Sequence, residues 1–379
     1  MAQRVKTDWV LFLSTVAMVS FGLVMVYSAS SYVARLRFGS SGYYIVRQLL
    51  WAAFGFLVMM LLKRTDYRKL NTAAWAFGSI GVVLVLLVAV HFMDGRAQRF
   101  LRLGPFGIQP SEFAKPALIL FLAYFVTLRA RAINDRHTLL PVVITVGLLA
   151  VAVVIADLGT AVVLVVTAAV VFYVAGLDRR YIKIAFAVGV LGVILAIAAK
   201  PYRLGRIVAF VDPEYTILER YEWGRKIKEY LSQSAYTRDP GYHARQSIIA
   251  VGSGGLTGLG PMKGEVKLFY LPEAHNDFIY AVIGEELGLA GSSLVVFMFL
   301  LLLWRGLRLA RTAPDEFGRF LALAVTTMIV VQAFMNMSVV LGMAPTKGIP
   351  LPMISYGGSS LLSTLVALGM LLSISEQTE

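Results

Sequence analysis

The stretch VLFLSTVAMVSFGLVMVY, residues 10–27, decides the fold class, because it contains no charged residue over this length. A helix that crosses the hydrocarbon core of a bilayer needs about 20 predominantly apolar residues. A second such run, VVITVGLLAVAVVIA, covers residues 142–156. The chain is 58% hydrophobic and 15% charged, whereas soluble domains carry about 25% charged residues. The sequence therefore predicts an all-α polytopic membrane protein.

Ten transmembrane helices are predicted from these apolar runs. They lie near residues 9–29, 44–62, 73–92, 111–128, 139–156, 160–176, 181–199, 276–304, 319–342 and 358–375. The first run lacks a clear small-residue cleavage site, so we expect it to be a span and not a cleaved signal peptide. We expect residues 1–379 to form a single transmembrane domain. One large extracytoplasmic segment, residues 200–275, separates spans 7 and 8.

Loop charges predict the orientation, because cytoplasmic loops of membrane proteins are rich in Lys and Arg. With a cytoplasmic N-terminus, the inner segments hold 15 Lys and Arg residues and the short outer loops hold 7. Both termini are therefore predicted to be cytoplasmic, in a multi-pass protein of the bacterial cytoplasmic membrane. The net charge of +13 has the same explanation, and no motif for nucleic-acid binding accompanies it. The chain has no Cys, and its four His are too scattered to suggest a metal site.

The large outer segment contains two unusual stretches. ERYEWGRKIKEYLSQ, residues 219–233, has the spacing of an amphipathic helix on the membrane surface, or of an ordinary solvated helix. QSIIAVGSGGLTGLG, residues 246–260, is too short and too rich in glycine to span a bilayer. Lipid cannot satisfy its backbone, so we expect a re-entrant or interfacial element that is buried in protein.

Ionisable residues at or within membrane spans are costly, and they mark candidate functional sites. Those in this chain are Glu112, Lys115, Asp157, Asp277, Glu285 and Glu286. Glu112 and Lys115 are three residues apart and can simply pair with each other. Asp157 and Asp277 can equally cap the helices that follow them. One of the two glutamates is expected to pair across the bundle or to face a polar cavity.

Two outer loops are rich in Gly, Pro and hydroxyl residues: GPFGIQPSEFAK, residues 104–115, and PTKGIPLPMISYGGSS, residues 345–360. Proline stiffens such loops and glycine allows close approach of the backbone. Their amides and hydroxyls are candidates for binding an anionic or sugar ligand, although the loops can also serve only to shape the starts of helices. The candidate binding residues around them are Arg99, Glu112, Lys115, Asp157, His275, Asn276, Lys347, Ser355 and Ser359.

Five stretches, in this order along the chain, resemble the SEDS family (shape, elongation, division and sporulation), which includes RodA and FtsW. They are GLVMVYSASS (22–31), QPSEFAKPALILFLAYFV (109–126), DLGTA (157–161), KLFYLPEAHNDFIYAVIGEELG (267–288) and PTKGIPLPMISYGGSSLL (345–362). The sequence departs from the family pattern at Asn276, where Thr is usual, and at Ala156, Met353 and Phe100. The first, fourth and fifth stretches look more like the division branch, FtsW, than the elongation branch, RodA.

The resemblance implies a peptidoglycan glycosyltransferase that polymerises lipid II on the outer face of the membrane. It implies a class B penicillin-binding protein as the transpeptidase partner, beside other divisome or elongasome proteins. The family's essential aspartate corresponds to Asp277, which we expect to be the general base. Lys115, Arg99 and Lys347 are candidates to bind the pyrophosphate. No cofactor is evident, and a divalent cation can share that role although the sequence has no dedicated cage for it.

Two other functions stay open at this stage. A lipid II flippase would also have many spans and buried ionisable residues, but it needs polar groups accessible from both faces and often has inverted repeats. A non-catalytic scaffold for a penicillin-binding protein would explain the spans but not an aspartate at the start of span 8.

Overall fold

The computed structural model describes residues 7–93, 99–103, 106–212, 222, 224, 241–265, 271 and 274–377. Within these residues the chain is almost entirely helical, and a two-stranded antiparallel hairpin is the only sheet. The strands are β1 (Leu101–Leu103) and β2 (Phe106–Ile108). The helices are α1 (Trp9–Phe38), α2 (Tyr43–Arg64), α3 (Ala73–Met93), α4 (Pro110–Arg129), α5 (Arg136–Ala156), α6 (Leu158–Val174), α7 (Arg179–Ala198), α8 (Pro201–Val211), α9 (Tyr242–Ser253), α10 (Ile279–Thr312), α11 (Glu316–Val340) and α12 (Gly358–Ser375).

The predicted fold class is confirmed, since nine helices in the described residues are long and apolar enough to cross a membrane. The remaining predicted span, near residues 160–176, corresponds to α6, which is apolar but only 17 residues long. The count of ten spans and their orientation stay predictions. The predicted boundaries differ most at two places: α1 continues to Phe38 instead of ending near residue 29, and α10 continues to Thr312 instead of ending near residue 304. The predicted stretch 219–233 lies outside the described residues, apart from positions 222 and 224.

Aspartates define where several helices begin. Asp8, Asp135, Asp157 and Asp315 are the N-caps of α1, α5, α6 and α11, and each carboxylate accepts a hydrogen bond from a backbone N–H in the first turn. Such caps satisfy donors that the helix itself cannot pair, which matters most where water is scarce. The tight turn predicted at DLGT is confirmed, because Asp157 is the only residue between α5 and α6.

The core of the bundle is formed by α4, α11 and α12, most of whose residues are buried, whereas none of the residues of α7 is buried. Small residues let neighbouring helices come close, as is common for helices in membranes. A Cβ at Gly306 in α10 would overlap the side chain of Thr326 in α11. A Cβ at Gly369 in α12 would lie 2.9 Å from the backbone oxygen of Met59 in α2.

Gly288 breaks α10 into two parts, with φ 63° and ψ −158°. The break removes two helical hydrogen bonds, those from the N–H groups of residues 289 and 290 to the carbonyls of residues 285 and 286. The glycine-rich segment 254–260 replaces both and satisfies all four groups. Its bonds run from Leu259 N to Glu285 O (3.0 Å), from Gly260 N to Glu286 O (2.9 Å), from Leu289 N to Gly255 O (2.9 Å) and from Ala290 N to Leu256 O (3.2 Å).

We call the contact between the break in α10 at Gly288 and the segment 254–260 the joint. Glycine is required in the joint because the backbone of the segment touches the backbone of α10. A Cβ at Gly254 would overlap the carbonyl oxygen of Gly284, and a Cβ at Gly258 would overlap that of Glu286. The backbone of this segment is thus paired with α10 on one side. Most of its residues are nevertheless exposed, Leu256 by 73% and Leu259 by 44%, so the expectation that the segment is buried in protein is wrong for its side chains. The re-entrant arrangement itself stays a prediction.

The side chains of Glu285 and Glu286, each 1% exposed, hold the backbone of residues 262–265, which follow the glycine-rich segment. Glu286 accepts hydrogen bonds from the Ser28 hydroxyl of α1 (2.7 Å) and from the Met262 N–H (3.1 Å). Glu285 accepts from the Glu265 N–H (2.7 Å). The expected pairing of one glutamate across the bundle is therefore confirmed for Glu286.

Ion pairs hold the bundle together at the end where residues 8 and 376 lie, which we call the terminal end. Arg305 near the end of α10 bonds to Asp8 at 2.6 Å, and Lys63 pairs with Glu376 at 3.3 Å. Asp315 accepts hydrogen bonds from the Tyr67 hydroxyl and from Arg68. Several elements that are distant in sequence are thus joined at this end.

Candidate active site

Asp277 lies at the other end of α10, in a turn of residues 274–278 that we call the Asp277 turn. Three successive backbone carbonyls of this turn are held from outside it. The His275 carbonyl accepts from Tyr356 N (2.9 Å), the Asn276 carbonyl from Ser355 Oγ (2.6 Å) and the Asp277 carbonyl from Asn336 Nδ2 (2.8 Å). The backbone is therefore fixed, while the Asp277 side chain stays partly exposed.

The partners of the turn lie mainly in the loop 341–357 between α11 and α12. Buried amides from neighbouring helices hold this loop in turn. Gln48 of α2 donates to the Ser355 carbonyl (3.1 Å) and accepts from Gly357 N (3.2 Å). Asn336 of α11 donates a second bond to the Ile349 carbonyl (2.7 Å). Polar side chains inside the bundle thus position the loop, and the loop positions Asp277.

Glu112 and Lys115 belong to the same support. Both are buried, and their ion pair (2.6 Å) confirms the pairing that their spacing predicts. The Lys115 ammonium also donates to Gln332 (2.7 Å), whose amide nitrogen donates to the Pro350 carbonyl (2.8 Å). The geometry therefore favours a supporting role for Lys115 over direct binding of a phosphate.

Gly348 is the residue of the loop that lies against the Asp277 carboxylate. The three atoms closest to a Cβ built at Gly348 are the two carboxylate oxygens and Cγ of Asp277. Only glycine leaves room for the carboxylate in this position.

A cationic cluster adjoins this contact and consists of Lys347, Arg99, Arg203 and Arg206. Arg206 of α8 donates to the Thr346 carbonyl (3.5 Å), and Arg203 donates to the carbonyls of Ala196 and Val154 (3.0 Å each). The Lys347 ammonium is buried, and it has no hydrogen-bond partner within the described residues.

The electrostatics of the cluster are unfavourable for Lys347 in the absence of an anion. Burial lowers the pKa of Lys347 to about 7; Asp157 opposes this shift, and the three arginines of the cluster reinforce it. Asp157 itself is committed to its cap, accepting from Gly159 N and Thr160 Oγ1 at 2.8 Å each. A bound anion would neutralise the excess positive charge.

An aromatic cluster lies on the other flank of the Asp277 turn and consists of Phe38, Tyr43, Tyr44, His275 and Tyr356. The Tyr44 ring centroid is 4.4 Å from that of His275 and 5.0 Å from that of Tyr356. The Phe38 ring stacks on one face of Tyr43, with ring centroids 3.7 Å apart. The guanidinium of Arg47 lies over the other face, 4.0 Å from the Tyr43 ring centroid. Asp277 is thus accompanied by the cationic cluster around Lys347, in the first half of the 341–357 loop, and by aromatic rings at the end of this loop.

The family model of the FtsW, RodA and SpoVE cell cycle proteins matches residues 8–379. The chain belongs to this family. It is 39% identical to the probable peptidoglycan glycosyltransferase FtsW of Trichlorobacter lovleyi, over 97% of this chain and 93% of that protein. It is 36% identical to the stage V sporulation protein E of Bacillus subtilis, over 98% of both chains.

Solved structures of family members show the same fold. A chain of a peptidoglycan synthase complex is 27% identical with a TM-score of 0.74, over 98% of both chains. The rod shape determining protein RodA of Thermus thermophilus is 26% identical with a TM-score of 0.64, over 98% of this chain and 97% of that protein. The resemblance inferred from the five sequence stretches is confirmed.

Most of the family residues named from the sequence come together in the structure. His275, Asn276 and Asp277 form the turn, and Ser355 binds it through its hydroxyl. Arg99, Asp157 and Lys347 meet in the cationic cluster or beside it. Ser359 is buried in the first turn of α12, and its hydroxyl makes no hydrogen bond to the Asp277 turn. Within the described residues, no three Asp, Glu or His side chains form a group that could hold a metal ion.

Several residues of the site were not identified from the sequence. Gln48, Gln332 and Asn336 are polar residues within apolar spans, a signal that could have drawn attention to them. Arg203 and Arg206 gave no such signal, because they follow span 7 in a segment that reads as an ordinary outer loop.

Proposed function

We propose that this chain is a peptidoglycan glycosyltransferase that polymerises lipid II on the outer face of the cytoplasmic membrane. The observation that carries the proposal is the position of the Asp277 carboxylate against Gly348, directly after Lys347 of the cationic cluster. A partly exposed carboxylate beside a cluster of cations suits a reaction in which one group loses a proton and another leaves as an anion. The names of the family members support the same activity.

In the proposed reaction, Asp277 takes the proton from the 4-hydroxyl group of an N-acetylglucosamine. The freed oxygen bonds to the anomeric carbon of the donor N-acetylmuramic acid, whose bond to the undecaprenyl diphosphate breaks. The cationic cluster stabilises the charge that develops on the leaving diphosphate, which is the effect of preorganised cations on a developing anion. Diphosphate leaves as an anion, so a single carboxylate suffices, unlike the pair that glycoside hydrolases usually need.

The excess of Lys and Arg in the predicted inner loops supports a position of the site on the outer face. Both termini are then cytoplasmic, at the end of the bundle that the Asp8–Arg305 and Lys63–Glu376 pairs close. We also propose a class B penicillin-binding protein as partner, because one similar structure belongs to a complex that polymerises and crosslinks peptidoglycan. The sequence stretches favour a role in division, with FtsW, over a role in elongation.

The test is polymerisation of lipid II by purified protein together with its partner. Asp277→Asn should fold and bind lipid II as the wild type does, but should form no glycan strands. Asp178→Asn makes the same chemical change at an exposed residue before α7 and should remain active. Normal strand synthesis by Asp277→Asn would exclude the general-base role.

The same assay separates the two rival functions. A flippase moves lipid II between two sides of a membrane, and it would form no strands in detergent, where there are no sides. The ion pairs that close the terminal end of the bundle also argue against alternating access, because opening would have to break them. A scaffold would support growth as Asp277→Asn, whereas an enzyme would not.

A further inference from the structure

We propose that the aromatic cluster is the binding surface for the acceptor sugar, the N-acetylated ring that presents the attacking hydroxyl group to Asp277. This inference rests on the proposed function. It concerns the part of the site that the cationic cluster does not explain, since tyrosine rings do not assist a leaving diphosphate.

The cluster is connected directly to the reacting group. His275, two residues before Asp277, packs against Tyr44 at 4.4 Å and against Tyr356 at 5.5 Å. The backbone bond from Tyr356 N to the His275 carbonyl ties the two segments together. A sugar ring that rests on His275 and its aromatic neighbours therefore lies beside the turn that carries the Asp277 carboxylate.

The cluster is also rigid. Tyr356 lies between Ser355 and Gly357, and Gln48 binds the backbone of both of these residues. Tyr43 is fixed between Phe38 and the guanidinium of Arg47. A surface that is already ordered loses little entropy when a ligand binds, which favours recognition.

Its chemistry fits a sugar ring better than a lipid chain or an anion. Aromatic rings offer large apolar faces, on which the C–H face of a pyranose can rest, and tyrosine adds a hydroxyl at the edge. Arg47 provides N–H donors that suit an acetamido carbonyl. Tyr44, His275 and Tyr356 are all partly exposed, so part of this surface is accessible to a ligand, whereas Phe38 and Arg47 cover the two faces of Tyr43.

The position relative to the cations assigns the acceptor and not the leaving group to this surface. Lys347 lies in the first half of the 341–357 loop, next to α6 at Gly159, whereas Tyr356 lies at the end of the loop and contacts α2 through Tyr44. In a displacement at the anomeric carbon, the attacking oxygen and the leaving oxygen lie on opposite sides of that carbon. With the diphosphate at the cationic cluster, the acceptor lies toward the aromatic rings.

Aromatic residues near a membrane surface often serve only to anchor helices at the interface. The two roles make different predictions for the ring itself. Loss of an anchoring ring should lower the stability of the protein in the membrane. Loss of a sugar-binding ring should instead raise the KM for lipid II.

The experiment compares Tyr44→Leu and Tyr44→Phe in the polymerisation assay with purified protein and partner. Tyr44→Leu should raise the apparent KM for lipid II about tenfold, the effect of losing one favourable ring contact, while the rate at saturation changes little. Tyr44→Phe keeps the ring and should restore the KM. Tyr173→Leu removes a ring that is 60% exposed near the end of α6 and should leave the KM unchanged.

If Tyr44→Leu does not fold, Tyr356→Leu is the second variant, because Tyr356 is a partly exposed member of the cluster that lies in the 341–357 loop, so its loss disturbs no helix. Folded leucine variants with the KM of the wild type would overturn the proposal. That result is distinguishable from failure of the proposed function, in which the wild type would make no strands or Asp277→Asn would make them.

Discussion

Gly348→Ala should inactivate the enzyme while leaving the fold nearly intact. The new methyl group would overlap Oδ2 of Asp277 and lie 3.2 Å from its Cγ. The carboxylate must therefore move by about 1 Å, a displacement that can cost about 100-fold in rate when it affects a reacting group. This corresponds to a barrier higher by about 2.7 kcal/mol.

The stability cost should be much smaller than the catalytic cost. The group that must give way is a short side chain and not the backbone, so the strain is that of a displaced rotamer, about 0.5–1.5 kcal/mol. Hydrogen bonds to three of its backbone carbonyls hold the Asp277 turn in place independently of the carboxylate. The thermal unfolding temperature in detergent should thus stay close to that of the wild type.

Gly357→Ala is the matched control, since it makes the same change in the same loop. Its Cβ would meet only the Ser360 Cβ, at an ordinary distance of 3.6 Å. We expect its lipid II polymerisation rate to lie within about twofold of the wild type, a difference below 0.5 kcal/mol. A folded Gly348→Ala variant with the rate of the wild type would refute the reasoning, because Asp277 would then act from another position or not at all.

Three further predictions concern the joint, the cationic cluster and the terminal end. Gly254→Ala forces a methyl group onto a backbone carbonyl and should destabilise the protein by about 1–3 kcal/mol. Gly252→Ala, which meets nothing within 4 Å, should be neutral or stabilise by about 0.5 kcal/mol; thermal unfolding of the two variants decides. Burial lowers the pKa of Lys347 to about 7, and a diphosphate favours the charged ammonium, so inhibition by added pyrophosphate should weaken as the pH rises above that value. Lys347→Arg should remove this dependence, since arginine stays charged; an unchanged pH profile would exclude Lys347 as the titrating group. Arg305→Ala leaves the buried carboxylate of Asp8 without its arginine and should cost about 3 kcal/mol. The double variant Asp8→Asn/Arg305→Gln should recover much of that loss in the same unfolding measurement, and no recovery would mean that the pair is not coupled.

The sequence predicts the long apolar helices well, and it places Asp277 correctly just before α10, for a physical reason. Hydropathy over about 20 residues is a local property, and a bilayer imposes it on every span. Asp157 at the start of α6 follows from local rules as well, because an N-cap depends only on the next few residues. The pair of Glu112 and Lys115 follows from helical spacing in the same way.

The broken helix could not be predicted from local rules. Gly288 lies in an apolar run that reads as one continuous span, and a single glycine in a membrane helix is common. The groups that make the break stable belong to residues 255–260, about thirty positions earlier. Arg203 and Arg206 were missed for a similar reason, because their importance arises only from the distant loop that carries Lys347.

The joint at Gly288 consists of main-chain atoms on both sides, so it limits the size of residues and demands no particular chemistry. Side chains at positions 256, 257 and 259 can vary, whereas positions 254 and 258 must carry no Cβ and positions 255 and 260 have positive φ angles that favour glycine. At position 288, a positive φ adds a second reason for glycine. A spacing of small residues, more than any conserved polar motif, would therefore be the mark by which this architecture is recognised in distant sequences.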